Sequence, residues 1–259
     1  MKPVFTDTHC HLQDPRLQPD LDAVMTRAYA AGVTRFVCCG TREEDWETVL
    51  ALAKRYDGVI PALGLHPWFV DGRSERWLER LESLVAGNPC AVGEIGLDHA
   101  LERFDRNGQN DVFAAQVRLA WKYNRPVSIH CRKAWGALER ALKKEGGLPC
   151  EGVVHSFSGY PDMARICAAY RCRFSWSGSI TRSFNKRGRL TLASVPKETI
   201  VLETDCPDIM PAGPAGTVNE PANITYTAGA VAENLGMTVE EIASLTTNNA
   251  QRSFGPVWR

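Results

Sequence analysis

With 259 residues and 30 basic side chains balanced by 30 acidic ones, the chain has a formal charge of +0, so nothing global draws it to a polyanion or an anionic membrane. Its length suits a barrel of alternating strands and helices built as one domain, 1–259. Nine cysteines, an odd number without a repeated spacing, form neither a secreted disulfide framework nor a zinc knuckle, and a reducing cytoplasm is the expected setting.

The start, Met1-Lys2-Pro3-Val4-Phe5, runs straight to Asp7 without the pattern of a secretory leader. No apolar stretch approaches the roughly 20 residues that a membrane span needs. Eight short β-rich runs then follow in order: Val4 to His9, Arg35 to Gly40, Val59 to Leu65, Ala91 to Leu97, Pro126 to His130, Gly152 to Phe157, Arg173 to Gly178 and Ile200 to Asp205. Between them, Leu21 to Ala31, Trp46 to Arg55, Val112 to Tyr123 and Met163 to Tyr170 place apolar residues three and four apart, as amphipathic helices do. Gly32, Gly58 and Gly87 fall where a left-handed cap would end a helix. Strand and helix in strict alternation predict a parallel sheet closed into an α/β (β/α)8 TIM barrel. Beyond the eighth run, the Pro- and Gly-rich segment Pro207 to Pro221 reads as a long loop at the barrel mouth. Helical patterns over Ile224 to Leu235 and Val239 to Asn249 complete the chain.

Chemistry-bearing residues sit where the apolar runs give out. In Asp7-Thr8-His9-Cys10-His11 the alternation of strand side chains sends Asp7, His9 and His11 one way, so both imidazoles can reach one ion. Glu94, between Gly93 and Gly96, is a buried carboxylate that is costly without a cation beside it, and its two oxygens can bridge two ions. His130 and His155 end the fifth and sixth runs and can hold the second ion with Glu94. Glu203 and Asp205 share parity at the last run, so one can ligate while the other orients water or a ligand, and Asp205 is expected to be the ligand. Imidazole mixed with carboxylate suits a divalent cation, and magnesium, manganese and zinc all stay open. Two such ions against two carboxylates leave a positive centre, which favours a bridging hydroxide as nucleophile and a phosphate ester as substrate.

The bland alternative, histidines satisfied by hydrogen bonds in a core, has to place five of six histidines at strand ends; only His99 reads as a loop residue. Cys10, Cys131 and Cys206 each follow a candidate ligand by one residue, so alternation turns them to the outer face as small hydrophobes. The basic run Thr181 to Arg189 is either a solvated loop or a phosphate contact. Trp68 and Tyr160 either stack on bases or pack within loops.

These blocks identify a resemblance. Asp7-Thr-His-Cys-His11, Leu63-Gly-Leu-His-Pro67, Gly93-Glu-Ile-Gly-Leu-Asp98, Pro126-Val-Ser-Ile-His-Cys-Arg132, His155-Ser-Phe-Ser-Gly159 and Leu202-Glu-Thr-Asp-Cys-Pro207, with Thr247-Asn248-Asn249 and Phe254 in the tail, resemble the TatD-type metal-dependent deoxyribonucleases of the amidohydrolase-like barrels. The resemblance implies one divalent ion on His9, His11, Glu94 and Asp205 and another on Glu94, His130 and His155. It also implies His66 and Arg132 as substrate contacts and DNA as the substrate; Asp205 or Glu203 is expected to handle the water's proton, and neither a membrane nor an obligate protein partner is expected. Gln13, Gly136 and His99-Ala100 depart from the family pattern at positions bordering the mouth. Two rivals stand beside this reading. One is an amidohydrolase-like enzyme splitting a small amide, lactone or phosphoester, though Lys122 and Lys133 do not fall where a bridging lysine would. The other is a catalytically silent metal-binding protein.

Overall fold

The computed structural model describes residues 2–258; Met1 and Arg259, the outermost residues of the expected 1–259 domain, lie outside the described residues. Eight strands, β1 (Phe5–Cys10), β2 (Val33–Cys39), β3 (Val59–Leu63), β4 (Ala91–Asp98), β5 (Val127–Arg132), β6 (Gly152–Val154), β7 (Cys172–Trp176) and β8 (Ile200–Leu202), lie in that order in one sheet. Each consecutive pair is parallel. The ring shuts between its first and last strands through Thr8 Oγ1, which donates to the Leu202 carbonyl at 2.9 Å. Backbone bonds from Asp205 N to His9 O (3.0 Å) and from His11 N to Cys206 O (2.8 Å) continue that seam upward. Around the sheet run α1 (Leu21–Ala31), α2 (Trp46–Arg55), α3 (Trp77–Gly87), α4 (Arg106–Tyr123), α5 (Trp135–Lys144), α6 (Pro161–Ala169), α7 (Lys186–Ser194), α8 (Ile224–Leu235) and α9 (Val239–Phe254). The barrel predicted from alternation is the barrel observed.

Strands covered on both faces need apolar residues in both parities. One set, including Phe36, Val92, Ile129, Phe174 and Leu202, packs outward under the helices. The other, Val37, Cys39, Ile60, Ala62, Ala91, Val153 and Val201, fills the barrel interior together with Ala250, Phe254 and Val257 from the end of the chain. Helix α9 starts on a capping box, with Thr238 and Glu241 each satisfying the other's backbone N–H. It crosses the N-terminal openings of the strands, and its Asn249 amide donates to the carbonyls of Lys197 and Ile200 at 2.9 and 2.8 Å. An apolar plug thus closes one end of the barrel and leaves the other for chemistry. No helix among the described residues is long and apolar enough to cross a membrane, and all nine cysteines are free.

Several expectations need correction. Strands β6 and β8 stop at Val154 and Leu202, so His155, Glu203 and Asp205 lie beyond the strands that were expected to carry them. Helix α4 begins six residues before Val112, because the Asp105 carboxylate caps a first turn, accepting from Asn107 N at 2.9 Å, that is too polar to show an apolar period. Gly32 is a left-handed cap as expected (φ 95°), but Gly87 is the last residue of α3, and the chain leaves through an extended Asn88.

Candidate metal centre

Glu94 lies at the middle of the cluster because β4 presses unusually close to β5. A Cβ on Gly93 would meet the Ser128 Cβ at 2.7 Å, and one on Gly96 would fall 1.9 Å from the His130 carbonyl. Only glycine on either side of Glu94 permits that approach. The two carboxylate oxygens then face different partners. Oε2 lies 3.3 Å from His9 Nε2 and 3.6 Å from His11 Nε2. Asp205 Oδ1 stands 3.8 and 3.6 Å from the same two nitrogens. Oε1 lies 2.9 Å from His155 Nε2, 3.1 Å from His130 Nδ1 and 3.3 Å from His66 Nε2.

The donor set fits cations. His9 Nε2 and His11 Nε2 face each other at 3.2 Å, and His130 Nδ1 and His155 Nε2 at 3.0 Å. Behind them, three of the four opposite ring nitrogens have hydrogen-bond partners. His11 Nδ1 donates to the Cys39 carbonyl at 2.8 Å, His130 Nε2 faces Asp98 Oδ2 at 3.2 Å, and His9 Nδ1 faces Ser128 Oγ at 3.0 Å. His155 Nδ1 looks toward Glu203 Oε1 at 3.7 Å. Protons held on these far nitrogens turn lone pairs toward one another and toward Glu94, which is the arrangement of ligating imidazoles oriented from behind.

His66 is the exception. Its Nδ1 accepts the Trp68 backbone N–H at 3.2 Å, so in the neutral ring the proton sits on Nε2, the nitrogen that faces Glu94. A donor there serves an oxygen better than a metal, although His66 stands as close to Glu94 as the ligand candidates do.

The electrostatics say the same. Burial alone would raise Glu94, yet His66, His155 and His9 drive it well below the usual carboxylate range. Burial lowers His66 to about 4 and also depresses His9. Against burial, Asp205 and Glu94 raise His11 to about 9, and carboxylate neighbours raise His130 and His155 as well. The buried carboxylates thus demand positive charge at the positions where imidazoles converge, and divalent ions meet the same demand while needing those nitrogens deprotonated.

All six expected ligands, His9, His11, Glu94, His130, His155 and Asp205, are brought together. Parity explains only part of this. Beyond β8 the chain turns through Asp205 in a left-handed conformation (φ 56°), which swings its carboxylate to His9 and His11. Glu203 is fully buried and its oxygens are taken by Ser156 N at 2.8 Å and by the Ser175 hydroxyl. It stands behind His155, with its oxygens bonded to the two serines, where it is expected to orient water or a ligand. Asp7 likewise does not join the ligands, for it accepts the backbone N–H of Thr204 at 2.9 Å and that residue's hydroxyl. Burial, only partly offset by Thr204, pushes its carboxyl up to about 7.

Cys10, Cys131 and Cys206 pack in the outer cluster, as alternation implies. Cys39 faces inward, its Sγ 3.4 Å from His9 Nδ1, a placement that sequence reasoning did not single out. Asp98 was also passed over, although it shares strand parity with Glu94. His99 stacks on Phe104 away from the cluster. Lys122 pairs with Glu82, so it does not enter the centre.

Above the centre opens a cavity of about 1200 Å³ whose lining includes Arg132, Arg182, Arg187, Trp68, Tyr160 and Phe184. The three aromatic residues are 53%, 59% and 76% exposed, which leaves ring faces open at the mouth. Arg187 lies over the Tyr160 ring at 5.2 Å, Arg42 over Phe69 at 5.2 Å, and Arg182 donates to the Met210 carbonyl at 3.3 Å. These guanidinium groups spend their contacts on rings and a carbonyl, which leaves their charge for a ligand.

The family profile described as TatD related DNase matches residues 6–255. A metal-dependent hydrolase of Bacillus subtilis, YabD, is 34% identical over 249 residues, covering 96% of this chain and 98% of its own. The human deoxyribonuclease TATDN3 is 33% identical, with 96% and 94% covered. Among solved structures, the TatD homologue YjjV of Escherichia coli superposes with a TM-score of 0.93 at 34% identity, covering 98% of this chain and 99% of its own.

Proposed function

Because the chain belongs to the TatD related DNase family of metal-dependent hydrolases, we propose that it cleaves phosphodiester bonds in DNA with two divalent ions, one held by His9, His11, Glu94 and Asp205 and the other by Glu94, His130 and His155. The division of the Glu94 oxygens between two groups of imidazoles carries this reading. When bound, the ions lower the pKa of a water toward about 7 and steady the oxygens of an in-line displacement.

The chain's own residues do the rest. Asp205, less buried than Glu203 and aimed at the His9 and His11 nitrogens, takes the proton of the attacking water. Glu203 holds His155 from behind. His66 donates from Nε2 to a phosphate oxygen, since its Nδ1 is already occupied by the Trp68 backbone. Arg132 at the end of β5 lines the same cavity and neutralises a second oxygen. The exposed faces of Trp68, Tyr160 and Phe184, interleaved with Arg182 and Arg187, suit flat bases on a charged backbone, which favours nucleic acid over a small cyclic amide or lactone.

The test is the purified full chain supplied in turn with magnesium, manganese and zinc, offered DNA in one series and small cyclic amides, lactones and phosphoesters in the other. Metal-stimulated DNA cleavage without turnover of the small compounds is expected. The reverse pattern would transfer the site to the amidohydrolase-like alternative, and no turnover with any ion would favour a silent metal-binding protein.

A further inference from the structure

Trp68 occupies the 3-10 turn Pro67–Gly72 that follows β3, and it differs from Tyr160 and Phe184 in one respect. Its ring lies half in solvent at the mouth, yet its Nε1–H donates to Asp98 Oδ2 at 2.7 Å. The same oxygen lies 3.2 Å from His130 Nε2, and His130 Nδ1 lies 3.1 Å from Glu94 Oε1. A continuous line of polar contacts thus runs from the cavity rim to the middle of the centre.

We propose that Trp68 is a positioning residue for the ion on the His130 side, holding His130 through Asp98 while its open ring face meets the substrate. The inference rests on the two-ion reading above and goes beyond it, because it gives a rim aromatic a role in metal affinity.

Asp98 is fully buried at the last position of β4, and every contact it makes is assigned. Oδ1 accepts Ala100 N at 2.8 Å, and Oδ2 faces both Trp68 and His130. Gln109 clamps the surrounding backbone: its Oε1 accepts Asp98 N at 3.0 Å, and its Nε2 donates to the carbonyls of Asp98 and Pro67 at 3.3 and 3.4 Å. The backbone on both sides is therefore fixed, and the indole N–H sets which way the free carboxylate oxygen points. That direction keeps the His130 proton on Nε2 and the lone pair on Nδ1. Loss of the indole donor leaves Oδ2 with one partner instead of two, and His130 loses its fixed orientation. The Trp68 backbone N–H, which holds His66, survives any side-chain change, so the two imidazoles can be separated experimentally.

The experiment titrates the metal-stripped full chain with manganese(II), following bound ion by calorimetry and electron paramagnetic resonance. Wild type is expected to take two ions. In Trp68→Phe, the ion that His130→Ala loses outright should bind about tenfold more weakly, at the low end for orienting partners, while the other ion and the melting temperature of the stripped protein stay unchanged. Trp121→Phe, which removes an indole donor bonded to the Gly147 carbonyl on α4, should alter neither ion. The double variant Trp68→Phe with Asp98→Asn should bind no more weakly than Asp98→Asn alone, as residues acting in one line do. Two ions at wild-type affinity in Trp68→Phe, or additive losses in the double variant, overturn the inference and leave the two-ion reading standing. A single ion in wild type overturns both.

Discussion

The two ends of the barrel are built on opposite rules. At the N-terminal end Ala250, Phe254 and Val257 enter the strand interior as an apolar plug that asks nothing of its neighbours but shape. At the C-terminal end, equally buried Glu94, His9 and His155 are polar and charged groups taken out of water, and they converge where a cation can join them. Burial at one end is a gain in apolar contact, and at the other it is a cost that binding offsets. The comparison separates what keeps the protein folded from what makes it act, and it can be broken at either end.

The largest effect is expected at the rim. Glu94→Ala removes the side chain whose two oxygens face the two groups of imidazoles, so metal analysis should find both ions lost and DNA cleavage should fall more than about a thousandfold, over 4 kcal/mol. Undiminished metal content would show that the carboxylate does not bridge. Next comes the floor. Phe254→Ala should cost about 3–5 kcal/mol of stability, a fall on the order of 10 °C in melting temperature, with two ions per folded molecule and wild-type turnover retained below the transition. Loss of metal in that variant would mean that the two ends are coupled after all.

His66→Ala sharpens the division within the rim itself. Cleavage should drop roughly 10²- to 10³-fold, as when one donor to a charged transition state is removed, while both ions stay bound; an ion lost with it would make His66 a ligand. The smallest change belongs to the outer wall. Arg187→Ala should weaken DNA binding by about 1 kcal/mol and lessen its salt dependence by about one unit of slope, leaving metal binding and melting untouched. An unchanged salt slope would return the basic run to an ordinary solvated loop.

The sequence makes the barrel legible because eight apolar runs alternate with helical periods, and because each ligand stands where such a run gives out. His9 and His11, and Glu94 between its glycines, could be read from spacing alone. Parity fails at β8. The strand ends at Leu202 and Asp205 adopts a left-handed turn, a conformation that an aspartate does not announce in sequence. Shared parity puts Glu203 and Asp205 together, whereas the serines at 156 and 175 draw Glu203 behind His155. Asp98 was within reach, being four residues beyond Glu94 on the same strand face. Its bond to Trp68 was not, since that contact spans 30 positions and depends on how two loops fold over each other.

The seam between β1 and β8 runs directly beneath the centre, with His9 O accepting from Asp205 N and His11 N donating to Cys206 O. A growing polypeptide that has not yet reached Ile200 carries five of the six ligands, but it lacks the segment that locks the first two into place. The candidate centre is therefore complete only once β8 and the turn that follows it have closed against β1.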